Sequence, residues 1–221
     1  TSTDVCSVGI AVDGQTSSLL ESHSPNSHTE KLTLLIQACA EQAQIALNDL
    51  DAVAVSDGPG SYTSLRIGAS TAKAMAYALN KPLITIDSLH ILAHGVSKNL
   101  LDGDAIIISM IDARRNEVYA AVYNHHCKEL QSATPLILDE NPFKEYLESK
   151  NKLYICGNGA LKYYNQHKNL DTILQHENTS ARYMEMITYD LFKKQQFSNV
   201  SYFIPDYIKS PNITKSNKKL F

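Results

Sequence analysis

Two stretches of this chain run through one order of elements, strands first and then helices alternating with strands, and that duplication constrains the fold more than any single motif. In the first half, Val8, Ile10 and Val12 fall on one side of a period-2 pattern over residues 5–12. Asp13-Gly14 follows as a hairpin turn signal, with a return strand over residues 15–22. Ser27 with Glu30 three residues on is a capping box, and it opens a helix to about residue 47 whose Leu32, Leu35, Ile36, Cys39, Ala43 and Ala46 form one stripe. DAVAVSD, residues 51–57, is too uniformly apolar at its centre for a half-exposed strand and predicts a buried parallel one. A Gly-rich turn and a helix over residues 61–79 come next, closed by Asn80 and Pro82. PLITI then reads as a strand, and Ser88 as the cap of a short helix to about residue 98.

The second half opens with AIIISMID and EVYAAVYN, two strands joined by the polar turn at 113–116, and a third strand fits at 136–138. A helix over 142–150, a strand at LYICG, a helix over 161–167, a strand around 172–174 and a helix over 180–195 complete it. Mixed order of this type predicts the α/β class, with two lobes at 1–100 and 101–221, each a sheet with helices on its faces. The first half supplies two strands before its first helix where the second supplies three. The first strand of the first lobe is therefore expected to be absent from this chain, its place lying upstream of Thr1; the chain also begins without Met.

Composition narrows the function classes. With 43% hydrophobic and 19% charged residues the chain has the make-up of a globular protein, and its apolar runs, AIIISMI for example, fall far short of the ~20 residues that span a bilayer. A net charge of -3 and pI near 6.2 give no overall attraction to a phosphate backbone. RNA contact would then fall to another subunit or to a local patch such as the basic tail Lys209, Lys215, Lys218 and Lys219. Cys6, Cys39, Cys127 and Cys156 form no CxxC pair, which suggests neither a zinc site nor a disulfide framework and fits a reducing cytoplasm. The N-x-[ST] matches at Asn178, Asn199 and Asn212 are short enough to arise by chance.

SDGPGSYTSLRIG, residues 56–68, joins a strand to a helix through two glycines. Glycines there permit positive φ and close backbone approach, and the first N–H groups of the helix face outward, so Gly58, Gly60, Ser61 and Thr63 are candidates for contact with an anion or nucleotide. The stretch is no P-loop, since Gly-Lys-Ser/Thr is lacking, and no dinucleotide fingerprint, since Thr63 holds the third glycine position. A tight structural turn and an anion site both remain open. In the helix that follows, Gly68, Ala72 and Ala76 recur every four residues with Ala69 and Ala74 nearby, which makes one side nearly smooth. That side serves either close packing on the chain's own sheet or a subunit interface. The interface candidates are Leu32, Leu35, Ile36 and Cys39 from the earlier helix with Leu65, Gly68, Ala69, Ala72, Met75 and Ala76 from this one.

GPGSYTSLRIGASTAKAMAYALNKPL, residues 58–83, closely resembles the signature of the TsaB (YeaZ) family, a GPGSFTGLRIG stretch leading into an Ala-rich helix. TSTDVCSVGIA at residue 1, HTEKLTLLI at 28, DARRNEVYAA at 112, GNGA at 157 and FIPDYIK near the C-terminus extend the resemblance over nearly the whole chain. Tyr62 stands where Phe is usual and Ser64 where the family has Gly. The resemblance implies a duplicated actin-like (ASKHA, RNase H-like) fold with a mixed five-stranded sheet in each lobe. It also implies a non-catalytic, Gcp-like pseudoenzyme subunit that pairs with TsaD in making threonylcarbamoyladenosine on tRNA. TsaE is then reached through the complex, tRNA indirectly, and the chain alone forms a homodimer. No cofactor is expected on this chain by itself, ATP or ADP entering with the complex.

TsaD-type relatives hold a metal through an HxxxH pair. His90 and His94 have that spacing, but alignment on NKPL at 80–83 puts the family's ligand positions at Ser88 and Leu92, and a two-residue shift turns a helix by about 200°. No metal site and no catalytic residue is therefore expected. Asp112 with Arg114 and Arg115 in a strand turn, and Asp57 before the Gly-rich turn, are weaker polar candidates. The competing classes are an ATP-dependent enzyme or metal-dependent glycoprotease-like hydrolase of the same superfold, and a self-associating scaffold.

Overall fold

The computed structural model describes residues 1–24, 28–100, 104–138, 142–148, 151–167, 172–175 and 178–209. The Ser27 cap, the sequon at Asn212 and the tail lysines 215, 218 and 219 lie outside the described residues.

In the first lobe β1 (Cys6–Val12) and β2 (Gln15–Ser22) form an antiparallel hairpin across Asp13 and Gly14, both at positive φ as a two-residue turn of the right twist requires. Helix α1 (His28–Ala43) lays Cys39 and Ala40 on Val8, Ile10 and Leu20 of that hairpin. It stops short of the expected residue 47 because Gln44 turns left-handed, at φ 57°. The N–H groups of Gln44 and Ile45 then return to the carbonyls of Glu41 and Ala40, which closes the helix end. β3 (Val53–Gly58) and β4 (Leu83–Asp87) pair in parallel, with α2 (Tyr62–Ala78) as the crossover. Helix α3 (Ser88–Ser97) is capped by Asp87 rather than Ser88: the Asp87 carboxylate accepts from the His90 N–H at 2.7 Å, and Ser88 is the first helical residue, fully buried.

The second lobe holds a five-stranded sheet in the order β7-β6-β5-β8-β9, made of β5 (Ile106–Asp112), β6 (Glu117–Asn124), β7 (Glu129–Ile137), β8 (Leu153–Cys156) and β9 (Thr172–Gln175). Central β5 is antiparallel to β6 and parallel to β8. Its apolar run is explained by burial on both faces. Ile106, Ile108 and Met110 enter one core with Phe143 and Tyr163, while Ile107 and Ile111 enter another with Leu89, Leu92 and Val96 of α3. Short helices α4 (Lys144–Leu147) and α5 (Ala160–Gln166) cover the outer face. β7 is longer than the expected 136–138. It is an edge strand with one side in water, so its polar residues mask the alternation, and Pro135 is tolerated where an N–H needs no partner.

The first lobe has the same plan with one position open. Its four strands form two separate pairs, β1-β2 and β3-β4.

Residues 178–209 depart from the expected division at 100. A short 3-10 turn (Ala181–Tyr183) and α6 (Glu185–Lys193) leave the second sheet and bring Tyr183, Met184, Ile187, Leu191 and Phe192 onto Ile84, Ile86 and Ile91 of the first lobe. Beyond α6, the Ser198 N–H donates to the Leu83 carbonyl and the Asp206 N–H to the Asp57 carbonyl. The apolar stripe of α6 needs a sheet face, and the β3-β4 pair offers its uncovered side. Among the described residues no helix is long and apolar enough to cross a membrane.

Candidate functional site

The Gly-rich turn between β3 and α2 is packed from two sides. Gly58 has φ 124°, and a Cβ there would stand 2.0 Å from the Asp206 carbonyl oxygen; one on Gly60 would stand 2.2 Å from that of Ser2. The peptide between Gly58 and Pro59 is cis. The Ser61 N–H, one of the groups that an anion would use, donates to the Ser2 carbonyl at 2.8 Å, and the Ser64 hydroxyl donates to that of Ser61 at 3.0 Å. Thr63 is exposed on the first turn of α2. The turn thus ties three distant segments together.

Two carboxyls sit at the C-terminal ends of the parallel strands. Burial pushes Asp57 up to about 6, with Asp206 adding to the rise and a hydrogen bond from Thr85 opposing it. Burial likewise lifts Asp87 to about 6, against the hydrogen bond from the His90 N–H and with the Asp57 charge adding. Tyr123 of β6 donates to Asp87 at 3.4 Å, and burial beside that carboxyl drives its own phenol upward. His90 stacks on the Tyr123 ring, centroids 5.6 Å apart. Burial lowers both His90 and His94, and the Nδ1 of His94 is buried without a partner. Among the described residues no three His, Cys, Asp or Glu side chains converge as metal ligands. Asp112 is committed to its turn: its Oδ1 accepts from the Arg114 N–H at 2.6 Å and from Lys162 Nζ at 2.5 Å, while Lys209 pairs with Glu117.

The interface candidates divide by which way they face. The smooth side of α2 turns inward: Ala72 and Ala76 pack with Val53, Val55 and Leu83, while Leu65 and Ala69 are buried, at 0% and 4% exposure. A Cβ on Gly68 would stand 2.0 Å from Thr1 Oγ1, so this stripe is close packing within the chain rather than an outer surface. Cys39 is buried, its thiol donating to the Ser18 hydroxyl at 3.2 Å. Leu35, Ile36 and Met75 are half-buried. Sequence reasoning missed the outer face, one step round the same helices. There a groove of about 470 Å³ runs between α1 and α2, lined by Thr29, Leu32, Thr33 and by Tyr62, Thr63, Arg66, Ile67 and Ser70. The Arg66 guanidinium lies over the Tyr62 ring at 5.3 Å, and Tyr62 meets Tyr207 at 4.6 Å. Leu34 and Tyr77, 65% and 83% exposed, stand on the outer sides of the two helices. Tyr62, Arg66 and Ser70 recur at i,i+4, a signal that the stronger Gly/Ala stripe overshadowed.

These features define a class: two α/β lobes of duplicated, actin-like plan with an exposed helix pair on the first. A crystal structure from Pseudomonas aeruginosa described as similar to peptidase YeaZ has the same fold, with TM-score 0.81 and 22% identity, covering 95% of this chain and 96% of that one. The family model described as TsaD, tRNA N6-adenosine threonylcarbamoyltransferase, matches residues 22–215. The tRNA threonylcarbamoyladenosine biosynthesis protein TsaB of Buchnera aphidicola is 30% identical over 153 residues, 68% of each chain. TsaB of Escherichia coli is 33% identical over 123 residues, 56% of this chain and 52% of its own length. That of Haemophilus influenzae is 34% identical over 119 residues, 54% and 49%. The chain spans about half the length of these last two curated relatives. The chain belongs to the TsaB (YeaZ) family, within the wider group that the TsaD model describes.

Proposed function

We propose that this chain is a non-catalytic subunit in the formation of threonylcarbamoyladenosine on tRNA, and that it acts by pairing its α1–α2 face with a TsaD-type transferase. The observation that carries the reading is the outer groove between α1 and α2 with its exposed Tyr62–Arg66 pair. Aromatic and Arg side chains in a shallow apolar groove are the usual anchors of a protein interface. Relatives named for this biosynthesis support the pathway. A partner built on the same plan would present a corresponding helix pair, so that four helices meet.

With a net charge of -3 the chain reaches tRNA through its partner rather than by its own field. TsaE and its ATP or ADP join through the complex, in the cytoplasm. In the absence of a partner a second copy covers the same face, since a two-fold contact is the simplest way to shield it.

The test is titration calorimetry of the chain against its TsaD-type partner. The double variant Tyr62→Ala, Arg66→Glu should bind about 10- to 100-fold more weakly while circular dichroism and melting stay unchanged, because both side chains are exposed in the free chain. Sedimentation of the chain alone should show a dimer that the same variant weakens. Undiminished affinity in a folded double variant would place the interface elsewhere.

A further inference from the structure

Beyond α6, residues 198–209 run back across the first lobe and are held every few residues along the way. The Ser198 N–H donates to the Leu83 carbonyl at 2.8 Å, beside β4. Val200 and Phe203 pack on the core that α2 forms with β3 and β4. Lys73 Nζ of α2 donates to the carbonyls of Ser201 and Phe203, at 3.3 and 2.9 Å. The Asp206 N–H donates to the Asp57 carbonyl at 2.7 Å, and the Asp206 carbonyl oxygen comes so near Gly58 that any side chain there would collide with it. Lys209 then pairs with Glu117 at the start of β6 in the second lobe.

Between those last two anchors stands Tyr207. Its ring meets that of Tyr62 with centroids 4.6 Å apart and planes tilted by 42°, within the range where aromatic rings attract. Tyr62 is the first residue of α2 and is 41% exposed. Arg66, one turn on, lays its guanidinium over the same ring at 5.3 Å and donates to the Tyr62 hydroxyl at 3.4 Å. Among the described residues that line the outer groove are Tyr62 and Arg66, but not Tyr207. The three side chains therefore form a row that begins on an anchored backbone behind the groove and ends inside it.

We infer that residues 198–209 are a positioning strap for the partner groove: Tyr207 holds the Tyr62 ring, and through it Arg66, in the arrangement that a partner meets. The inference rests on the proposed pairing through the α1–α2 face. An exposed aromatic side chain at a helix start turns among its rotamers, and an anchor that must be frozen on binding weakens the complex. A ring already packed has lost that freedom in folding. Tyr207 can do this from outside the groove because the backbone on either side of it is tied, Asp206 to β3 and Lys209 to β6.

The chain contains no Trp, so Tyr62→Trp puts a single indole at the anchor. In the full chain without a partner, adding Tyr207→Ala should lower the fluorescence anisotropy of that indole and move its emission to longer wavelength. Adding Tyr207→Phe should change neither, since the ring makes the contact. In calorimetric titration against the TsaD-type partner, Tyr207→Ala alone should bind about 3- to 10-fold more weakly than the parent, the effect of one side chain newly frozen on binding, and Tyr207→Phe should match the parent. Added to Tyr62→Ala, Tyr207→Ala should weaken binding no further, because the strap acts through that ring. Where Tyr207→Ala lowers the melting temperature, Tyr207→Leu, which keeps apolar bulk and loses the ring, replaces it in each measurement. An indole indifferent to Tyr207, or parent-like affinity in Tyr207→Ala while Tyr62→Ala binds weakly, would overturn the inference. Additive losses in the double variant would do the same by making Tyr207 a direct contact of the partner. Unchanged affinity in Tyr62→Ala would remove the groove as the pairing face and the strap's role with it, an outcome that this single variant tells apart from the others.

Discussion

Ala76→Glu is expected to unfold this chain, or to lower its stability by about 4 kcal/mol or more. Ala76 is 1% exposed and packs with Val53, Val55 and Leu83 where α2 crosses β3 and β4. A carboxylate there would be surrounded by the apolar side chains of Val53, Val55 and Leu83, and the added side-chain volume forces helix and sheet apart, a strain of about 1–3 kcal/mol by itself. The matched control lies two residues earlier. Ala74 is exposed on the opposite side of α2, and Ala74→Glu should change stability by no more than about 0.5 kcal/mol. Urea unfolding followed by circular dichroism separates the two. A folded Ala76→Glu chain with an unchanged midpoint would mean that the Gly/Ala stripe does not serve the core.

That contrast shows what a periodic pattern can carry. The recurrence of Gly68, Ala72 and Ala76 states that something approaches α2 closely, and says nothing of whether it is a sheet of the same chain or a helix of another. The structure supplies the missing fact, because β3 and β4 lie against that stripe. The strands themselves were readable for a related reason: Asp13-Gly14 and the run at 105–111, apolar but for Ser109, each admit few backbone arrangements, and the hairpin and the strand β5 follow from them. The return of residues 178–209 to the first lobe was not readable. α6 carries an apolar stripe that fits either sheet, and only the uncovered face of β3 and β4 decides between them. The groove at Tyr62 and Arg66 was missed for the opposite reason. Its signal is two exposed residues whose meaning depends on α1 lying alongside, a contact between segments about thirty positions apart.

The stability difference between Asp87→Asn and the parent is expected to depend steeply on pH, near zero at pH 4 and about 2–3 kcal/mol in favour of the variant at pH 7. Burial lifts the Asp87 carboxyl from 3.8 to about 6. A carboxyl whose folded pKa lies above its unfolded one binds more protons in the folded state between those values. Its stabilising effect is complete below about pH 4 and is lost as pH rises through 6, where burial of the charge must be met in full. Asp57 behaves in the same way, lifted by burial with Asp206 adding, and its charge adds in turn to the rise at Asp87. Asparagine keeps what the fold needs at this position, since its side-chain oxygen still accepts from the His90 N–H at the start of α3 and from the Tyr123 hydroxyl. The parent's curve alone would not isolate the effect. His90 and His94, held below their ordinary pKa by burial, lose stability as pH falls through about 6.5 and so oppose the carboxyls. Subtracting the two proteins' urea stabilities at each pH cancels most of that opposing trend, as both keep the histidines. A variant less stable than the parent at pH 7, or a difference that does not change between pH 4 and 7, would show that the Asp87 carboxylate is stabilised by its surroundings when charged.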